Sequence, residues 1–142
     1  MHIVGIIGPY FSGGNRRLID HNIANAQYVM IAVANYFAQN QLVGCFAPHS
    51  HTARFERLAQ APEAYYHAMD DAIYDGCCEA VIVLPGWENS TGARRDIKRA
   101  QLQCKKVFLL LSYSAKDMEW LLHALQKWAE EPVAENITSF EA

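Results

Sequence analysis

The sequence predicts an α/β fold, a three-layer α-β-α sandwich around a flavodoxin-like or Rossmann-like parallel sheet of four to five strands. Three observations predict it. Short apolar runs alternate with amphipathic, helix-like segments along the chain. The runs are continuously apolar, as in strands buried on both faces. The first three end at Gly8-Pro9, Pro48 and Pro85-Gly86, residues that turn a strand into a loop. A chain of 142 residues suits one domain over its whole length, residues 1–142, near the commonest domain size.

The elements follow in order. Ile3 to Ile7 is a β-branched run and reads as the first strand. Phe11 to Asn15 is a loop. From about Arg16 to Gln39, Leu18, Ile19, Ile23, Ala26, Val29, Met30, Val33, Ala34 and Phe37 recur at three and four, placing them on one face of a long helix; Asn40 is its stop. Leu42 to Ala47 is a second strand. His49 to Ala61 mixes His, Thr, Arg and Glu and reads as an exposed loop, either irregular throughout or with a helical turn. Pro62-Glu63 opens a second helix that runs to about Tyr74, with Gly76 placed to end it. Ala80 to Leu84 is the third strand, and Gly86 to Asn89 a loop. A third helix runs from Ser90 or Thr91 to Gln103. Val107 to Leu111 is a fourth buried strand. Lys116 to Trp128 is a last helix with Met118, Leu121, Leu122, Leu125 and Trp128 inside. The tail from Glu130 has the weak signals of a short strand or of a segment lying on a partner.

Composition narrows the function classes. A net charge of −3 argues against a mainly electrostatic partner such as duplex DNA or an anionic membrane. No apolar run approaches the ~20 residues a membrane span needs, and Met1-His2-Ile3 lacks the basic start of a signal peptide. Cys45, Cys77, Cys78 and Cys104 form no C-x-x-C pair. They read as reduced, largely buried thiols of a cytoplasmic protein. His49, His51 and His67 lack a third ligand at a dependable spacing, so no metal or other cofactor is expected. A place in a pocket suits His49 or His51 better, because that loop begins at the carboxyl end of a strand.

In an open parallel sheet the ligand sits beyond the carboxyl ends of the strands, at the switch point. Two loops there are built for close backbone approach and should face each other. The first, Gly8-Pro9-Tyr10-Phe11-Ser12-Gly13-Gly14, leads into a helix start, where amide groups and the helix dipole favour an anion. The second is Leu84-Pro85-Gly86-Trp87-Glu88-Asn89-Ser90-Thr91-Gly92-Ala93-Arg94-Arg95-Asp96. Ser90 or Thr91 caps the next helix. Their hydroxyls and the amide of Gly92 suit a phosphate. Asp96 lies one turn beyond Gly92 on the same face. Its carboxylate either complements the helix dipole or points back into the cleft.

These residues resemble the nucleoside 2-deoxyribosyltransferase superfamily. The resemblance rests on the strand ending in Gly8-Pro9-Tyr10, on Asp71 in the helix before the third strand, and on the stretch Leu84 to Arg94. It is most like a small branch with the pattern P-G-W-x-x-S-x-G-A-R-x-E, and the deoxynucleoside 5′-monophosphate N-glycosidases share the core. The match runs from about His2 to Leu111. It implies that position 96 is the nucleophile, which attacks the anomeric carbon and forms a glycosyl ester that water or a second base resolves. That residue is a Glu in the superfamily and Asp96 here, one methylene shorter. The resemblance also implies that Asp71, in better register than Asp70, hydrogen-bonds the sugar or transfers a proton. Ser12, Gly13, Gly14, Ser90 and Gly92 would hold a 5′-phosphate, with Gly8 and Tyr10 lining the sugar or base pocket and Trp87 stacking on a base. Arg94 would meet a phosphate or an internal carboxylate.

Two functions follow. One is cleavage of the N-glycosidic bond of a nucleotide or nucleoside, by hydrolysis or by transfer, with the serine-glycine loops tilting the choice to hydrolysis of a monophosphate. The other is a binding or sensing module that keeps the pocket without turnover. The partner expected in either case is a small-molecule nucleotide or nucleoside, with no nucleic-acid polymer. The resemblance also implies a homodimer or higher homo-oligomer, for which the first helix and Tyr65-Tyr66-His67 supply surface.

Overall fold

The structure, a computed structural model, describes residues 1–132. β1 (His2–Ile7), β2 (Val43–Phe46), β3 (Ala80–Val83) and β4 (Lys106–Leu109) form one sheet in the order β2-β1-β3-β4. Every pairing is parallel. The chain leaves β1 to one side, to β2, and returns to the other side, to β3. The reversal places the switch point at the carboxyl ends of β1 and β3, as the sequence predicts.

Strand alternation sorts the core onto two faces. Val4, Ile6, Ala80, Ile82 and Phe108 point to the face covered by α1 (Arg16–Tyr36) and α6 (Ala115–Glu130). Ile7, Val81 and Val83 point to the face carrying α4 (Glu63–Cys77) and α5 (Thr91–Leu102). The buried side of α1 is Ile19, Ile23, Ala26, Val29 and Val33, most of the stripe its periodicity predicts, while Leu18 and Ala34 at the edges of that stripe are exposed and Met30 is half-buried. Burying each large aliphatic of this stripe contributes about 1.5–3 kcal/mol. Asn15 caps the helix by accepting from the Leu18 amide at 3.2 Å. α6 buries Met118, Leu121, Leu125 and Ala129, with Leu122 and Trp128 only partly covered.

The structure differs from the sequence expectations in several places. α1 ends at Tyr36, before the predicted Gln39, and Asn40 instead turns the chain by accepting from the Leu42 amide at 3.0 Å. The stretch from 49 to 61, where a helical turn is one alternative, holds two short helices, α2 (Pro48–His51) and α3 (Phe55–Leu58), and α4 runs on through Gly76 to Cys77 instead of stopping near Tyr74. β4 is the edge strand and not a fully buried one: Leu109 is 40% exposed and only Phe108 is buried. Its periodicity is apolar throughout, yet a strand with one neighbour leaves part of its surface to solvent. Cys77 and Cys104 are exposed, while Cys78 is buried and Cys45 half-buried; all four are free. The exposed pair sits where α4 ends and in the turn before β4, away from the sheet faces. The tail signals beyond 132 lie outside the described residues. No helix among the described residues is long and apolar enough to cross a membrane.

One glycine couples sheet and helix. The buried Tyr74 ring of α4 lies across Gly5, so close that a Cβ there would come within 2.5 Å of the ring. The hydroxyl donates to the carbonyl of Ile6 at 2.6 Å, which pins the ring in place. Gly5→Ala should therefore lower stability by about 3 kcal/mol through overpacking, a fall in Tm of roughly 10 °C. A melting curve superimposing on wild type would show that the ring slides aside.

Candidate functional site

A cavity of about 790 Å³ opens at the carboxyl ends of β1 and β3. Both loops singled out from the sequence line it, and Asp96 looks into the same space as Ser12 and Gly13. The loops also approach each other directly: a Cβ on Gly86, at φ +90°, would lie 3.3 Å from Pro9. The remaining wall comes from α2, α3 and the inward stripe of α4.

The first loop is held open by its neighbours. Ser12, Gly13 and Gly14 all have positive φ, a conformation that favours glycine at the last two positions. Asn22 of α1 donates to the carbonyl of Tyr10 at 3.0 Å and to the Ser12 hydroxyl at 2.9 Å. Gly8, Tyr10, Ser12 and Gly13 line the cavity, whereas Gly14 falls outside the lining and serves the turn. The Tyr10 hydroxyl donates to Glu56 at 2.8 Å and accepts from the Arg54 amide at 2.7 Å. These bonds tie α3 over the loop. Burial pushes the Tyr10 hydroxyl up to about 12, so it stays protonated.

His49 is the one buried polar residue among those described, at 4% exposure. Its Nε2 lies 2.9 Å from the carbonyl of Pro9. Burial lowers its pKa, so the ring is neutral, Nε2–H donates, and Nδ1 is an acceptor. That Nδ1 has no partner among the described residues. His49 lines the cavity, as one of the two sequence alternatives has it, while His51 is outside the lining.

The second loop departs from two expectations. Trp87 does not line the cavity; it is half-buried against the α4–α5 face of the core. Its position in a 3₁₀ turn (Trp87–Asn89) rolls the ring under the loop. Arg94 meets neither a carboxylate nor open cavity. Its guanidinium donates to the carbonyl of Glu88 at 3.1 Å and to the Thr91 hydroxyl at 3.4 Å, fastening the loop. Ser90 is the helix cap, accepting from the Ala93 amide at 3.2 Å. Ser90 and Gly92 both line the cavity, and a Cβ on Gly92 would meet only open space.

The acid on α4 is the main correction. Asp71 is outside the cavity and forms a two-point ion pair with Arg95, at 2.6 and 3.0 Å, with Arg99 at 3.4 Å behind it. Asp70 lines the cavity instead. The reason is helical register. Glu63, Tyr66, His67, Asp70 and Tyr74 are spaced three, four, seven and eleven residues apart and share one stripe; Asp71 stands about 100° further round, facing α5. The same stripe brings in Tyr66 and His67, which sequence reading assigned to an outer surface; only Tyr65 of that segment is outward, 57% exposed. Counting this stripe on the sequence would have found all of them.

Asp70 and Asp96 are half-buried and electrostatically coupled. Burial pushes the Asp70 carboxyl up to about 6, helped by the negative charge of Asp96, and its Oδ1 has no partner among the described residues. Asp96 is raised too, by burial first, with Arg95 at 3.0 Å pulling the other way. Two carboxyls whose environments hold protons differently are the raw material of acid-base and nucleophilic chemistry at one centre.

No curated protein matches the chain. A family model, described as a domain of unknown function, matches residues 15–112. That span takes in α1, the α4 stripe, the second loop and β4, so it covers both acids and most of the cavity wall. The chain therefore belongs to the DUF1937 family, whose matched region contains the cavity's two coupled carboxyls.

Proposed function

We propose that the cavity binds a nucleoside-type N-glycoside and cleaves its N-glycosidic bond, with Asp96 as nucleophile and Asp70 as acid and then base. The observation that carries this reading is the pair of raised carboxyls, Asp70 and Asp96, in one cavity large enough for a sugar and a base. In the first step an Asp96 oxygen bonds to the anomeric carbon while the bond to the ring nitrogen breaks, and Asp70 supplies the nitrogen's proton. In the second, Asp70 takes a proton from water, which attacks the same carbon and releases Asp96. Tyr10, Phe11 and Tyr66 offer faces for the base. The resemblance of Gly8-Pro9-Tyr10 and Leu84 to Arg94 to the nucleoside 2-deoxyribosyltransferases supports the same assignment, with Asp70 taking the role the resemblance implied for Asp71.

Incubation of the pure protein with deoxynucleosides, ribonucleosides and their 5′-monophosphates, followed by chromatography, tests the reading. Free base is expected; its absence across the panel, with the ligand bound, leaves the second reading, a binding or sensing module. The observation favouring that alternative is the contact of Arg95 with Asp96, which engages one oxygen of the shorter acid.

Gly92 tests where the ligand sits. Its methyl-free backbone faces the cavity without any internal packing need. Gly92→Ala should leave the melting temperature unchanged or slightly raised, because alanine favours helix by up to about 1 kcal/mol, yet weaken ligand binding about tenfold or more by crowding. Unchanged binding would move the ligand away from the α5 terminus.

A homodimer is the expected assembly. Tyr28 and Ile31 of α1 and Trp120 of α6 are large apolar side chains at 48–59% exposure, and Tyr65 adds a second patch. Light scattering on the eluted protein should return twice the 16.0 kDa chain mass; a single-chain mass at micromolar concentration would count against it. Four free thiols fit a reducing compartment, the cytoplasm.

A further inference from the structure

We infer that the cavity selects an organic cation without a phosphate: an N-glycoside whose departing ring carries the positive charge. The inference rests on the glycosidic reading above and names its substrate class.

Charge is the first ground. Glu56, Glu63, Asp70 and Asp96 line the cavity, and among the described residues no Lys or Arg does. Arg54 is turned away to Asp20 at 3.0 Å, and Arg95 to Asp71 and Asp96 from outside. His49 adds no charge, being buried and neutral. A dianionic phosphate entering this space would meet carboxylates, with amides, hydroxyls and the His67 imidazole but no Lys or Arg among the described lining residues to answer it. Carboxylates outnumber cations along these walls even with Arg57 3.9 Å from Glu56, His67 3.0 Å from Glu63 and Arg95 3.0 Å from Asp96, and the excess gives the cleft a negative potential.

Aromatic faces are the second ground. Tyr10, Phe11, Phe55 and Tyr66 line the same space, and Phe55 and Tyr66 meet edge to face at 6.4 Å. Rings combined with carboxylates are the recognition chemistry of organic cations, each good contact being worth about 0.5–2 kcal/mol. The third is the buried His49 of the same wall, whose Nδ1 has no partner among the described residues.

The chemistry then simplifies. As the Asp96 oxygen bonds to the anomeric carbon, the breaking bond's electron pair neutralises the cationic ring, which leaves as a neutral base without needing a proton. Water then attacks the same carbon as its bond to the Asp96 oxygen breaks, the electron pair returns to the Asp96 carboxylate, Asp70 receives the water's proton, and the sugar is freed.

Wild-type protein can be titrated calorimetrically with 1-methylnicotinamide, a pyridinium cation that cannot be cleaved, and with neutral nicotinamide. The cation should bind about tenfold tighter, less so at high salt, and ribose 5-phosphate no better than ribose. Glu56→Gln keeps an acceptor for Tyr10 while removing one charge, and should cut the preference severalfold. Nicotinamide riboside should release base faster than deoxyinosine, and faster than any 5′-monophosphate. Equal affinity for cation and neutral ring, or preferred cleavage of a monophosphate, would overturn the inference while leaving the glycosidase reading standing. Tight binding of the cation with no base released from any glycoside would do the reverse.

Discussion

Asp96→Asn should reduce base release by about 1,000-fold or more, because an amide cannot form the glycosyl ester on which the two-step path depends. The fold should survive. Asp96 is only half-buried, and Asn keeps an oxygen to accept from Arg95 at the 3.0 Å position the carboxylate uses. Superimposable melting curves with lost turnover would therefore identify a chemical role. Asp96→Glu is the informative companion. It places at this position the residue carried by the nucleoside 2-deoxyribosyltransferases that the sequence resembles, and adds about one ångström of reach; near-attack distances are sensitive on that scale. Glu should turn over at least as fast as Asp. Retained activity in Asp96→Asn would remove the nucleophile from the proposal, and a dead Asp96→Glu would mean that the cavity is shaped around the shorter acid.

Asp70→Asn should lower kcat/KM by about 100- to 1,000-fold for neutral nucleosides, the usual contribution of a positioned acid or base. The wild-type profile should fall as pH rises through about 6, where the Asp70 carboxyl gives up its proton, and that limb should vanish in the variant. Stability should move the other way. The folded carboxyl is raised from 3.8 to about 6, so between those values the folded protein holds a proton that the unfolded chain has lost. Protonation supports the fold at low pH, and the support disappears as pH climbs through 6. Asn carries no charge to desolvate, so the variant should match wild type near pH 4 and exceed it by about 1 kcal/mol at pH 8, the full shift being discounted for partial solvent screening. Denaturant titrations at the two pH values check it. A variant less stable than wild type at pH 8 would mean that the ionised Asp70 has a partner it is not seen to have. Catalytic loss with stability gain is the signature of a group kept in an unfavourable place for function.

The second loop was legible because its information is local. Ser90 before Thr91 and Gly92 is a helix start by capping chemistry alone, and four residues on, Asp96 had to share the glycine's face. The role of Trp87 was not legible. Whether an aromatic ring lines a cleft or anchors the loop beneath it depends on the 3₁₀ turn at Trp87–Asn89, which neither propensity nor spacing specifies. Arg94 is similar: its partners, Glu88 and Thr91, are close in sequence, but the competition between ligand and loop for one guanidinium is settled by where the backbone carbonyls turn. Asp70 and Asp71 are adjacent, so a register error of a single residue exchanged a cavity acid for an ion-pair acid. Their identities were plain, and the side each faces follows from how α4 is rolled about its axis, which the Tyr74–Gly5 contact holds in place.

The sequence by itself determined the alternation of strands and helices, the parallel sheet and the position of the cleft. Those properties follow from hydrophobic periodicity and from glycine and proline at strand ends, and both act over a few residues. Only the tertiary structure decided which acid joins Asp96 and that the cavity wall carries four carboxylates and no Lys or Arg among the described residues. Rotation of a helix against a sheet is set by packing among segments far apart in the chain, and the electrostatic character of a cavity is the sum over all of them.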